Sequence, residues 1–172
     1  MQMWLVSDTH FGHHNIYMFM DATKTHRIRS EFKDAKEGDA AMIDRWNAVV
    51  RPQDHVYHLG DVAMSKPYYQ MVRGLNGHKR LILGNHDTND MGLLKDVGFQ
   101  KIMASRKYGK MIFSHYPLHP DSLPKWCLGN VHGHIHEKPS PPGRYFNVSV
   151  ERIGYTPIPV EEVEQHLIRL QV

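Results

Sequence analysis

Seven side chains of the kinds that bind metal ions lie in short clusters that are far apart along the chain. They are two aspartates, four histidines and one asparagine: Asp8, His10, Asp61, Asn85, His115, His134 and His136. Each cluster follows or closes a short apolar run that predicts a buried β-strand. Because side chains at the carboxyl ends of strands can converge outside one edge of an α/β sheet, these residues predict a single site.

The spacing within the clusters suits metal binding. Asp8 and His10 are two positions apart, as are His134 and His136, so in extended backbone each pair shares a face and can touch one ion. A carboxylate such as Asp61 can bridge two cations and offset part of their repulsion. Any one of these histidines alone is more often structural than ligating. The prediction of a two-metal hydrolase therefore rests on the whole set.

The donor types narrow the choice of metal. Imidazole, carboxylate and amide groups suit borderline or hard divalent ions, and the set contains no thiolate that would select a softer ion. We expect two divalent ions, manganese first, with iron, zinc or nickel as alternatives.

Length and composition predict one globular domain over residues 1–172. Hydrophobic residues make up 41% of the chain and charged residues 23%, which argues against disorder and coiled coil. A net charge of +3 is too small to predict nucleic-acid binding. The lone Cys127 suits a reducing compartment. Asp8 comes too early for a secretory apolar region, and no stretch approaches the roughly 20 apolar residues of a membrane span, so we expect a cytoplasmic protein.

The order of apolar patterns predicts an α/β fold. A βαβαβ first half is followed by a strand-rich second half, which indicates two packed sheets with helices outside. Predicted strands cover 3–6, 56–59, 79–83, 100–103, 110–114, 128–132 and 144–150. Predicted helices cover about 40–50, 67–75, 91–97 with Asn89 as its cap, and 160–170.

The clusters together resemble the signature of the calcineurin-like metallophosphoesterase superfamily. The matching motifs are Asp8-Thr9-His10, Gly60-Asp61, Gly84-Asn85-His86-Asp87, His115 and Gly133-His134-Ile135-His136. The compact length and the run from Ser7 to His13 look like the small, lidless bacterial and phage-type members. The resemblance implies a four-layer αββα sandwich of two mixed β-sheets flanked by helices, with a dinuclear metal centre.

The resemblance also implies roles for the matched residues. One metal would be bound by Asp8, His10 and His136. The other would be bound by Asn85, His115 and His134, with Asp61 bridging. His86 would not be a ligand but would lie beside the substrate as a proton donor or phosphate contact. Two divalent ions about 3.5–4 Å apart can lower the pKa of a shared water, so we expect a metal-activated hydroxide to attack phosphorus while His86 protonates the departing oxygen.

One departure from the superfamily's protein phosphatases narrows the substrate. Gly60-Asp61 is followed by Val62-Ala63, so the Asp that would orient the catalytic histidine and the Arg that would clamp the phosphate are missing. This argues against a protein phosphatase and leaves the orienting partner of His86 unassigned. An open site without a lid favours phosphodiesters or small phosphomonoesters and nucleotides.

Other residues are weaker candidates for the site. His13, His14 and Asn15 follow the first motif and could contact a bound phosphate, or could lie in a solvated loop. Tyr116 and His119 could contact substrate. Arg27, Arg29 and Lys33 could form a basic rim around the site, or could simply be solvated charges. His132 could support the neighbouring ligands or could be a core residue, and His58 is expected to be a core residue.

Two rival functions remain open from the sequence. A nuclease of the same superfamily would need a long basic groove, for which the modest charge gives little support. A non-catalytic scaffold with the same fold would be expected to lack a ligand or the motif histidine, and neither is missing here. Oligomeric state does not follow from these residues.

Overall fold

The computed structural model describes residues 1–171, so Val172, the last residue of the predicted domain, lies outside the described residues. Within that range the chain forms strands, α-helices and 3₁₀ helices. The strands are β1 Met3–Val6, β2 His55–His58, β3 His78–Ile82, β4 Phe99–Met103, β5 Ser105–Tyr108, β6 Met111–Ser114, β7 Gly129–His132, β8 Tyr145–Asn147 and β9 Ile158–Pro159. The α-helices are α1 Ala35–Val49, α2 Met91–Asp96 and α3 Val160–Arg169. The 3₁₀ helices are His14–Tyr17, Lys66–Gly74 and Pro120–Ser122.

The strands form two mixed sheets. The first has the order β4-β3-β2-β1-β9, in which β1 to β4 are parallel and β9 is antiparallel to β1. The second has the order β5-β6-β7-β8, in which β6, β7 and β8 are parallel and β5 is antiparallel. The predicted α/β class, with two mixed sheets and flanking helices, is confirmed. Because neighbouring strands are parallel, their carboxyl ends meet at a common edge.

The outer face of the first sheet is covered by helices. Trp46 of α1, Val72 of the second 3₁₀ helix and Leu94 of α2 are buried there against the strands. Helix α1 begins where Asp34 caps it, since the Asp34 carboxylate accepts a hydrogen bond of 3.0 Å from the Glu37 backbone N–H. The chain therefore supplies one apolar helical layer over β1, β2 and β3.

A second core fills the space between the sheets. Leu5 and Leu59 from the first sheet side and Phe113 and Val131 from the second are buried together. Helix α3 lies at the edge of this core, contacts both β1 and β8, and inserts Leu167. The outer face of the second sheet is covered by the 115–128 segment, which buries Leu123 and Cys127 against Tyr145 of β8.

The two sheets are joined near the predicted site. Ser7, just after β1, forms a parallel bridge with Ser149, just after β8. The Ser7 N–H donates to the Val148 carbonyl at 2.9 Å, and the Val150 N–H donates to the Ser7 carbonyl at 3.0 Å. This junction fixes the carboxyl ends of both sheets relative to each other.

Local structure differs from the sequence predictions at a few points. Asp90, not Asn89, caps α2, because its carboxylate accepts the Leu93 N–H at 3.0 Å. The predicted helix over 67–75 is a 3₁₀ helix. Strand β5 was not predicted, since Ser-Arg-Lys-Tyr is an exposed edge sequence without alternation of apolar residues.

The helices are short compared with the thickness of a bilayer. The longest, α1, has 15 residues. None of the helices in residues 1–171 combines the length and the apolar character that crossing a membrane requires.

His58 in β2 is a core residue, as the more conservative interpretation predicted. Its Nε2 lies 3.0 Å from Thr9 Oγ1, and its ring stacks on Trp46 with the centroids 6.4 Å apart. Burial lowers the pKa of His58 to about 4, because the charged imidazole would lose its hydration.

The burial of His58 predicts an acid-dependent loss of stability. Between about pH 6.5 and about pH 4 the unfolded state binds a proton at this residue and the folded state does not, so the free energy of unfolding falls as pH falls. His58→Gln should reduce the slope across that window by about 1.4 kcal/mol per pH unit. Urea denaturation of chelator-treated protein measures it. The exposed His26→Gln is the control, and identical slopes in His58→Gln and wild type would contradict the prediction.

Candidate metal centre

The structure brings all seven predicted ligands to the edge where the two sheets join. Two groups of three could each hold a metal ion, with ligand atoms within 4.8 Å of one another. The first triad is Asp8, His10 and His136, and the second triad is Asp61, His115 and His134. Asn85, the remaining predicted ligand, places its Oδ1 3.0 Å from His115 Nε2.

Asp61 lies between the two triads. Its Oδ2 is 3.4 Å from His10 Nε2 and 3.4 Å from His115 Nε2. Its Oδ1 accepts a hydrogen bond of 2.9 Å from the His86 backbone N–H, which holds the carboxylate in place. One carboxylate oxygen therefore faces both triads.

The backbone at the site is unusual. Asp8, His10, Asp61, His134 and His136 all have positive φ, between 48° and 71°. For residues with a Cβ the left-handed region costs on the order of 1–2 kcal/mol each. Strain of this kind concentrates at functional sites, where the surrounding structure holds it in place.

Two glycines permit the close packing of the ligands. A Cβ on Gly84 would lie 2.2 Å from Asp61 Oδ1, and a Cβ on Gly133 would lie 2.3 Å from Asp8 Oδ2. Any larger residue at either position would displace a carboxylate.

The donor atoms of His10 fit a metal ion. Both ring nitrogens are buried, and neither makes a hydrogen bond within residues 1–171, although buried polar atoms are normally paired. Burial lowers the pKa of His10 to about 2, so its imidazole is neutral and keeps a lone pair for a cation. Burial opposes ionisation of Asp61, but the hydrogen bond and charge of His115 outweigh it and hold the pKa of Asp61 below its usual range.

The orientation of His115 is fixed by the backbone. Its Nδ1 donates to the Leu59 carbonyl oxygen at 2.8 Å, because a carbonyl can only accept. In the neutral imidazole the lone pair is then on Nε2, whereas the protonated ring donates from Nε2 to Asp61 and Asn85. A hydrogen bond of this kind sets the tautomer of a metal-binding imidazole.

A buried ion pair supports the first triad and was missed in the sequence analysis. Glu151 Oε1 lies 3.2 Å from His136 Nδ1 and 2.8 Å from Arg29 Nη2. Arg29 also donates to the carbonyls of Asp8 at 2.7 Å and Thr9 at 3.0 Å. Both interpretations of Arg29, as part of a basic rim and as a solvated charge, are wrong, since the side chain is fully buried. No local spacing signals this pair, because its members are far apart in sequence.

Asp87 organises the loops around the second triad. Its carboxylate accepts hydrogen bonds from the backbone N–H groups of Asp61 at 2.9 Å and Gly84 at 2.8 Å, and from Tyr69 Oη at 2.8 Å. In the sequence analysis, Asp87 was included in one of the matched motifs but was assigned no role. It ties the loop after β2 to the loop after β3.

His86 is exposed at the mouth of the site. Its ring centroid lies 5.4 Å from that of His10. Within residues 1–171 no side chain forms a hydrogen bond with the His86 imidazole; the only hydrogen bond between this residue and a side chain is made by its backbone N–H. The described structure therefore identifies no residue that orients the ring.

Of the weaker candidates from the sequence, some lie close to the triads and others point away from them. The His13 ring lies 5.7 Å from that of His10, whereas His14 turns towards Tyr68, with Nε2 3.2 Å from the Tyr68 hydroxyl. Asn15 is exposed, and its carbonyl accepts the Met18 N–H at 2.9 Å. The exposed Tyr116 ring lies 4.4 Å from that of His134.

Two other weak candidates have structural roles. His119 caps a 3₁₀ helix by accepting the Asp121 N–H at 3.3 Å. His132 is a core residue, with Nε2 3.0 Å from Ser140 Oγ.

Comparison with known proteins agrees with this geometry. A family model described as calcineurin-like phosphoesterase matches residues 1–170. The chain belongs to the calcineurin-like phosphoesterase family. An uncharacterized protein of Methanocaldococcus jannaschii is 31% identical over 170 residues, which is 93% of this chain and 88% of that protein. The family and the two triads together indicate a metallophosphoesterase with two metal positions.

Solved structures share the fold. A protein of unknown function from Aquifex aeolicus superposes with a TM-score of 0.67 at 24% identity, covering 96% of this chain and 98% of that one. Nuclease MPE from Pseudomonas putida superposes with a TM-score of 0.51 at 18% identity, covering 78% of this chain and 61% of that one. At these identities the likeness concerns the fold alone.

The buried ion pair predicts a large loss of stability when it is broken. Glu151→Gln leaves the Arg29 guanidinium buried without its counter-charge, so the free energy of unfolding should fall by about 3–5 kcal/mol. The matched control is Glu31→Gln, which removes the exposed pair with Arg45 and should cost less than about 1 kcal/mol. Urea denaturation in the presence of a chelator measures both, and equal losses would contradict the prediction.

Proposed function

We propose that the protein is a dinuclear metal-dependent phosphoesterase that hydrolyses phosphodiesters at an open site. The observation that carries this proposal is the position of Asp61 Oδ2, at equal distance from one imidazole of each triad. Two clusters that share a carboxylate can hold two cations close together, which is the arrangement that phosphoryl transfer uses.

The ligand assignment follows the two triads. Asp8, His10 and His136 would hold one ion. Asn85, His115 and His134 would hold the second, and Asp61 would bridge. This set of oxygen and nitrogen donors supports manganese, with iron, zinc or nickel as alternatives.

The metal ions would contribute charge and an activated water. A pair of divalent ions held there would neutralise phosphoryl oxygens and lower the pKa of a water molecule. The chain's own contribution is position: Asp87 and Arg29 fix the loops that carry the ligands. Ligands held this rigidly need no reorganisation when charge develops on the phosphoryl group.

His86 is the candidate for the general acid. Its exposed imidazole lies beside His10 at the mouth of the site, where a departing oxygen can reach it. Its backbone is tied to Asp61, so the side chain keeps a fixed starting point while the ring stays free to turn. In this position it can give its proton to the leaving group.

The loop after β2 supports a diester over a monoester. Val62 and Ala63, which follow Asp61 in this loop, are fully buried in the core, so these two positions place no charged group beside the substrate. A phosphodiester carries one negative charge, whereas a monoester carries close to two near neutral pH and gains more from an arginine clamp. A site built from imidazoles, carboxylates and metal ions fits the lower charge.

Metal binding provides a direct test of the shared carboxylate. Wild-type protein should bind two manganese ions per chain, and Asp61→Asn should weaken binding by at least about tenfold, because even changes to groups outside the ligand set cost that much. The matched control is the exposed Asp96→Asn, which should bind like wild type. Isothermal titration and elemental analysis measure the stoichiometry. Two ions held at full affinity by Asp61→Asn would refute the bridging role.

The role of His86 predicts a dependence on the leaving group. His86→Ala should lower kcat on a dinucleotide by about 10²–10⁴-fold with metal content unchanged. The loss should be much smaller on a p-nitrophenyl diester, because nitrophenolate departs without a proton. His119→Ala, at an exposed histidine, is the control. Equal losses on both substrates would exclude proton donation by His86.

A further inference from the structure

A cavity of about 460 Å³ lies beside the two triads and includes one residue of each triad in its lining. This volume lies within the range of about 300–1,000 Å³ typical of small-molecule sites. One wall is formed by His134 and His136, one from each triad. The apolar part of the lining is Phe19, Met20, Ala22, Ile28 and Ile135.

The apolar wall comes from an exposed segment. Met18, Phe19 and Met20 are consecutive, and their exposed fractions are 68%, 49% and 44%. Single exposed apolar residues are ordinary, but a contiguous group beside a cavity marks a binding surface. These side chains do not belong to the described core clusters, so Phe19 and Met20 are free to contact a ligand in the cavity.

The segment is held in place by a hairpin. Met20 and Arg27 form an antiparallel bridge, and the Ile28 N–H donates to the Phe19 carbonyl at 2.9 Å. The Asp21 N–H donates to the His26 carbonyl at 2.8 Å. These bonds fix the two arms of the hairpin relative to each other, and Arg29, which follows the hairpin, is bonded to the Asp8 and Thr9 carbonyls at the site.

The Phe19 ring lies one imidazole away from the first triad. Its centroid is 5.7 Å from that of His13, and the His13 centroid is 5.7 Å from that of His10. A substituent of a phosphate held at the triads can therefore extend past His13 to reach Phe19. The face or edge of this ring is available to a planar group.

We propose that this cavity binds a nucleobase, so that the substrates of the enzyme are nucleotide phosphoesters with the base against Phe19 and Met20. The inference rests on the proposed function, because it places the phosphate at the triads. Asp21, Glu137 and Lys138 complete the lining. The side chains of Glu137 and Lys138 can hydrogen-bond the edges of a base, whereas an acyl chain offers them no hydrogen bond.

Binding to manganese-loaded protein tests the inference without catalysis. Adenosine 5′-monophosphate and ribose 5-phosphate share the sugar phosphate and differ in the base. The nucleotide should bind about 5- to 150-fold more tightly, the range that stacking of one base on an aromatic side chain supports. Phe19→Ala should remove most of this difference, and Met18→Ala, at the adjacent residue outside the cavity lining, should retain it. Isothermal titration measures all three proteins.

The outcomes separate this inference from the proposed function. Equal affinity for the two ligands in wild type, or an unchanged difference in Phe19→Ala, would overturn the nucleobase site. Tighter binding of hexyl phosphate than of the nucleotide would also overturn it, in favour of an acyl group. Hydrolysis of ethyl p-nitrophenyl phosphate is measured on the same samples. Activity without base discrimination leaves the phosphoesterase intact and removes the nucleobase site. Tighter binding of the nucleotide without hydrolysis of any ester would support the nucleobase site and contradict the phosphoesterase.

Discussion

The structure depends on forcing carboxylates and imidazoles together at one edge of a sandwich, away from water. Asp8 and Asp61 are buried, and burial raises the pKa of Asp8 because its charge loses hydration. Left-handed backbone at five of the ligand positions adds conformational strain. Such a cluster is unfavourable by itself, and cations are the partners that relieve it, since they attract the carboxylates and accept the imidazole lone pairs.

The strain is balanced by connections that span the whole fold. The Ser7–Ser149 bridge joins the sheets, Asp87 ties two loops, and Arg29 binds the backbone of the first motif from within the core. Arg29 and Glu151 would each be costly to bury alone, and their pairing is stabilising mainly because both are already desolvated. This network mainly fixes the positions of the residues in the two triads and adds less to the net free energy of unfolding.

The sequence predicted that these side chains would come together, but it did not predict the groups that support them, for a physical reason. Residue type and a position just after an apolar run are local properties, and parallel strands turn them into spatial convergence. Asp61 and His134 could therefore be placed together. Glu151 could not, because its partner Arg29 is distant in sequence and buried arginines have no local signature. Strand β5 also escaped prediction, since its pairing with β6 rather than its composition makes it a strand.

The residues of the two triads and the apolar residues of the neighbouring cavity lie on different parts of the fold. The triads lie on strand ends that are fixed by both cores, so their spacing changes little without unfolding of the sheets. The apolar wall of the neighbouring cavity lies on a short hairpin that is attached mainly by backbone hydrogen bonds. Substitutions at Phe19 or Met20 can alter the shape of the cavity while the two triads keep their geometry. Specificity in such a fold is therefore expected to reside in the hairpin and not in the ligands, which all have to satisfy the same cations.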